Sequence, residues 1–74
     1  MNNNPNVIIY DRWGYIIATI HHWHIAAIAI TQYMNENYNI MATYDGAMIW
    51  DSSIDKYYSV NEIMPIITNR IANV

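Results

Sequence analysis

Read from its first residue, the chain opens on polar positions, Met1 to Asn6, and then sets short β-branched and aromatic runs against two stretches of helical period. Val7 to Tyr10 and Tyr15 to Ile20 flank Asp11-Arg12-Trp13-Gly14. An Asp opening and a Gly closing such a connection favour a type I turn followed by a left-handed Gly, which joins two antiparallel strands. Ile40 to Tyr44 and Ala47 to Trp50 repeat the arrangement around Asp45-Gly46, a dipeptide suited to a two-residue hairpin turn because both positions tolerate positive φ. Asn37-Tyr38-Asn39 separates this second hairpin from what precedes it.

Between the hairpins, Trp23, Ala26, Ala27, Ile30, Tyr33 and Met34 fall on one face of a helix from about His22 to Glu36. A second helix is predicted near the end of the chain. Ser59 and Glu62 have capping-box spacing, in which the Ser hydroxyl accepts from a free backbone N–H and the Glu reaches back to the cap. Tyr58 and Ile63 are placed for a hydrophobic staple. Val60, Ile63, Met64, Ile67, Ile71 and Val74 form its apolar stripe. Pro65 falls inside this helix on the outward side, where loss of one backbone donor predicts a kink rather than a stop.

The element order is therefore ββαββα, an α+β fold whose simplest packing is a four-stranded antiparallel sheet with two helices on one face. Residues 1–6 read as a polar lead-in and 7–74 as a single domain. A shift of 34 residues superposes Tyr10-Asp11 on Tyr44-Asp45, Ala26 on Val60 and Ile30 on Met64, which an old duplication would produce and which chance similarity between two hairpin–helix units explains more simply. A sheet covered on one side normally alternates apolar and polar along each strand. Ile8-Ile9-Tyr10, Ile16-Ile17 and Met48-Ile49-Trp50 instead place apolar groups on both faces, which predicts a partner or a second copy on the uncovered one.

Composition sharpens this. The 74 residues are 54% hydrophobic and 12% charged, with a formal charge of −3. Arg12, Lys56 and Arg70 are the only fixed cations, too few for a phosphate-neutralising stripe, so nucleic acid is not an expected partner. Cys is absent, which excludes disulfides, thiolate metal sites and a Cys nucleophile and fits a cytoplasmic location. Phe and Leu are absent too, while Ile occurs fifteen times. Neither base composition nor ordinary usage produces that alphabet, and an engineered reduced-alphabet variant of a natural domain is one explanation. No formally charged residue occurs between Trp13 and Asn35, which raises a membrane-embedded subunit spanning about 15–34 as an alternative, weakened by the His, Thr and Gln within it.

His21, His22 and His24 are the only cluster with metal-ligand chemistry. On a helix beginning near His22, His21 and His24 lie on one side and His22 points away, so the candidate ligands are His21 and His24, short of the three or four a site needs. The same two residues with Ile25, Ile28 and Gln32 make a second stripe opposite the core stripe, read as a contact surface. Protonation of imidazoles in such a contact, near their unperturbed pKa of about 6.5, would weaken it in acid. Trp13 at the first hairpin tip and Tyr57 after the second are large amphipathic side chains of the kind that anchor interfaces, whereas Trp50 is assigned to the core. The carboxylates sit at turns and a cap, no Ser is spaced against a His and an acid, and no phosphate-cradling Gly loop exists. The expectation is a small non-enzymatic protein-binding module without a cofactor, homo-oligomeric, of the kind that serves as a viral or plasmid-type inhibitor or accessory factor. A His-cluster metal-binding protein is a further alternative.

Overall fold

The structure is a computed structural model and describes residues 6–56 and 59–73. Its elements are β1 (Val7–Asp11), β2 (Ile16–Ile20), α1 (Trp23–Asn35), β3 (Ile40–Tyr44), β4 (Ala47–Asp51) and α2 (Val60–Ala72). The four strands form one antiparallel sheet in the order β2-β1-β3-β4, so each hairpin–helix unit contributes one central and one edge strand. The fold is the expected ββαββα. Tyr57, Tyr58 and Val74, which the sequence assigns to an interface anchor, a staple and the helix stripe, lie outside the described residues.

Local chemistry sets each turn. In the first hairpin the Asp11 carboxylate accepts from the amides of Trp13 and Tyr15, both at 2.9 Å, and Gly14 takes the left-handed position at φ 88°. In the second, Asp45 and Gly46 both adopt positive φ, 50° and 88°, as a type I′ turn requires. Asn37 ends α1 at φ 63°. Its amide donates to Met34 and that of Tyr38 to Tyr33, and the Tyr33 and Tyr38 rings meet edge to face at 5.8 Å. This is a Schellman ending with its usual apolar contact, achieved with Asn where Gly is commoner.

The core lies between the sheet and the helices. Along one row of its covered face the strands present Ala18, Ile9, Ala42 and Trp50, and along the next Ile20, Val7, Tyr44 and Ala47. Small residues beside large ones let Ile30 of α1 and Ile63 and Ile67 of α2 pack down to zero exposure. Both edge strands carry a bulge at the equivalent place, opposite Ile9/Tyr10 in β2 and opposite Ala42/Thr43 in β4. Each bulge inserts one residue, Ile17 or Ile49, and Ile49 and Trp50 are consequently both fully buried despite being neighbours.

Three expectations are corrected. First, no single shift superposes the two units. β1 and β3 share the burial pattern with Val7 matching Ile40, a shift of 33, while α1 and α2 start at Trp23 and Val60. Ala26 and Ile30 thus correspond to Ile63 and Ile67, because the second hairpin has the shorter turn and the longer exit. The 34-residue superposition is one position out of register between β1 and β3, enough to exchange faces there. Second, Ser59 is the N-cap of α2 but forms no side-chain cap bond. Its hydroxyl instead donates to the Glu62 carboxylate at 3.2 Å, which occupies both halves of the expected box. Third, residues 15–34 are divided between β2 and α1, and among the described residues no helix is long and apolar enough to cross a membrane.

Pro65 does lie inside α2, which continues to Ala72. It is exposed, so water can reach the Asn61 carbonyl that it leaves without a helical donor. Pro65→Ala is expected to raise unfolding stability by about 2 to 3 kcal/mol, read as a higher midpoint in urea. An unchanged or lower midpoint would mean that restriction of the unfolded chain by proline outweighs the lost bond.

Candidate functional site

The side of the sheet away from the helices is bare. One of its rows runs Ile16, Tyr10, Met41, Asp51 from edge to edge, and the next runs Thr19, Ile8, Thr43, Met48. Ile16 and Met48 are 57% and 52% exposed at opposite corners, and Ile8, Tyr10 and Met41 between them are half-buried. Asp51 is the one formally charged residue in these two rows. A partner on this face would meet a contiguous apolar centre with hydroxyls and one carboxylate at its margin, the arrangement of a protein interface.

A second exposed region is on α1. Ile25 and Ile28 are 54% and 46% exposed, as the helix pattern predicts, with His21 and Gln32 beside them. His24 departs from the expected stripe. Its ring stacks on Trp23 at 3.8 Å and lines the groove between the helices with Asn61, Met64, Pro65 and Thr68. His21 is tied down by its backbone carbonyl, which accepts from the Asn6 side-chain amide at 2.8 Å. Among the described residues no group of three His, Asp or Glu is gathered closely enough to hold a metal ion, so His21 and His24 gain no third ligand.

Trp13 is 69% exposed at the tip of the first hairpin, with the Arg12 guanidinium 4.4 Å from its ring centre. Arg12 also borders a shallow cleft with Asn39, Met41, Asp51, Ser52 and Ser53. The hydroxyls there are structural. Ser52 Oγ accepts from the Ile40 amide at 3.0 Å, and Ser53 Oγ donates to the Asp51 carboxylate at 2.7 Å. The His residues follow Ile20, opposite Val7, whereas Ser52 and Ser53 follow β4 beside Ile40, opposite Asp11. A strand length of about 13 Å separates the two groups, too far for a hydroxyl and its base.

The polar contact that sequence reading missed joins β4 to α2. Arg70 donates two parallel bonds to the Asp55 carboxylate, at 2.8 and 2.9 Å, and a third at 2.8 Å to the carbonyl of Ile49, the bulge residue. Its guanidinium also lies 5.9 Å from the centre of the Trp50 ring. Hydrogen bonding from Arg70 holds the Asp55 carboxyl below its ordinary value against the opposing effect of burial, and the Asp51 amide, donating at 3.0 Å, acts in the same direction. The only signal in the sequence is that Asp55 and Arg70 are among its few charges.

Together these features define a small α+β module with one sheet face covered by two helices and the other left apolar and open. No family model, curated protein or solved structure matches the chain.

Proposed function

We propose that the chain is a non-catalytic protein-binding module that docks a partner protein on the open face of its sheet. The observation that carries this reading is the bare apolar centre formed by Ile8, Tyr10, Ile16, Met41 and Met48. Tyr and Met are favoured at the centre of interfaces, Tyr for large rigid area with a polar tip and Met for adaptability. Asp51 at the margin and Trp13 with Arg12 at the hairpin tip supply polar and aromatic contacts around that centre. An inhibitor or accessory factor, which acts by occupying a surface of its target, needs no more chemistry than this.

The test compares proteins captured by the immobilised chain with those captured by Met48→Glu and by Ile25→Glu, identified by mass spectrometry. Both substituted residues are about half exposed, so both variants should fold. The partner is expected on the wild type and on Ile25→Glu and at least tenfold depleted on Met48→Glu. Equal recovery on Met48→Glu would overturn docking on the sheet face.

A further inference from the structure

We infer that two copies of this chain join edge to edge through β2, making one continuous eight-stranded sheet with the two α1 helices side by side over the junction. Edge strands present unpaired amides and carbonyls, and proteins commonly guard them with Lys, Pro, inward charges or a bulge. β2, Ile-Ile-Ala-Thr-Ile, has no Lys, Pro or charge, and its bulge at Ile17 leaves the stretch from Ala18 to Ile20 in regular register. The other edge, β4, ends on Asp51 and is followed by the Asp55–Arg70 pair.

The ladder shows which groups β2 offers. The Asp11 amide donates to the Tyr15 carbonyl at 2.9 Å, and hydrogen-bonded pairs alternate with non-bonded ones along an antiparallel pair. Counting back along β1, the bonded positions are Asp11, Ile9 and Val7, so Thr19, opposite Ile8, turns its amide and carbonyl to the empty side. A two-fold axis at Thr19 pairs it with its own copy, so those amides and carbonyls bond each other. The same axis sets Ala18 opposite the copy's Ile20 on the helix side and Thr19 opposite its equivalent on the open side. Matched faces are what register demands.

The helix above makes a second copy, rather than an extended peptide, the fitting occupant. α1 lies over β1, β2 and β3, with α2 beside it toward β4, so its other flank faces the β2 edge. His24 marks the α2 side of α1, and Ile25 lies about 100° further round, away from α2, with Ala29 one turn on. A peptide added to β2 would leave exposed Ile25 bare, whereas the two-fold brings the Ile25 and Ala29 flanks of two helices toward each other. Residues 13–35, comprising β2, α1 and the turns that lead into them, contain no Asp, Glu, Lys or Arg, so nothing in this half of the unit repels its own image. This junction leaves the open sheet face free and does not depend on a partner docking there.

The test is sedimentation equilibrium of the full chain at 1 to 100 μM near neutral pH, with order on a scale of the 8.7 kDa protomer. A dimer is expected for the wild type and for Met48→Glu. Ile25→Glu, and Thr19→Lys, which puts like charges together on the axis, are each expected to weaken it at least tenfold while keeping the wild-type circular dichroism. A wild type that stays monomeric at 100 μM overturns the proposal. So does a dimer that Met48→Glu dissociates and Ile25→Glu leaves intact, which would place the contact on the sheet face instead. Loss of the captured partner in Met48→Glu without loss of the dimer separates this result from that of the docking test.

Discussion

Replacing Trp50 with Ala is expected to lower the unfolding free energy by about 3 to 5 kcal/mol. A chain of this length holds on the order of 4 to 11 kcal/mol in total, so the variant should be partly unfolded at 25 °C. The indole is fully buried and is the largest of the core side chains. It sits opposite Ala42, in the sheet row that Ile9 and Ala18 complete, and no neighbour in that row is large enough to fill the space it would leave. Its loss also removes the ring beside the Arg70 guanidinium. Urea denaturation followed by far-ultraviolet circular dichroism measures the effect without relying on Trp fluorescence. A loss below about 1 kcal/mol would show that the core collapses around the gap, contrary to the packing described.

The second large effect is expected at the β4–α2 clamp. Asp55→Asn removes the charge that faces the Arg70 fork and should cost about 2 kcal/mol at pH 7, less than the 3 to 5 of a fully buried pair because the Arg70 side chain keeps 38% exposure to screening water. The clamp also makes stability depend on pH. Because the folded-state pKa of Asp55 is lowered, its contribution is present in full above the unfolded carboxylate pKa of about 3.9 and is lost as pH falls through the still lower folded value. The difference in stability between wild type and Asp55→Asn should therefore be constant from pH 7 to about 5 and shrink in stronger acid. A difference that persists unchanged at pH 2 would assign the effect to shape rather than charge.

The parts of this molecule that were legible in the sequence are those that a few neighbouring residues decide. Asp11 to Gly14 and Asp45-Gly46 fix their own turns, and the period of Trp23 to Met34 picks out the buried side of α1 because burial follows the helical repeat. The exposed Ile25 and Ile28 follow from the same periodicity, and the apolar residues Ile8, Ile16 and Met48 on the open sheet face follow from the lack of polar alternation along the strands. What was not legible depends on distant residues or on single insertions. Asp55 and Arg70 are 15 residues apart and meet only because β4 lies under α2. The bulges at Ile17 and Ile49 leave no composition signal, yet they decide which strand residues share a face. The helical wheel groups His24 with Ile25, but the position of α2, which no local pattern contains, draws it into the groove. The Ser59–Glu62 box failed for a different reason, since two side chains that can each cap a backbone group can also satisfy one another.

The branching of the buried side chains at Cβ has a consequence inside the core. Of its eight largest fully buried side chains, all but Trp50 are Ile or Val: Ile9, Ile30, Ile40, Ile49, Ile63, Ile67 and Val7. A side chain branched at Cβ has few χ1 choices, and on a helix essentially one. These residues therefore have little rotamer entropy left to lose as they are buried, about 0.5 to 1 kcal/mol for each Ile where a long flexible chain such as Met loses up to about 2. The same stiffness leaves the interior few alternative ways to interlock, so a single arrangement of side chains is favoured by shape alone.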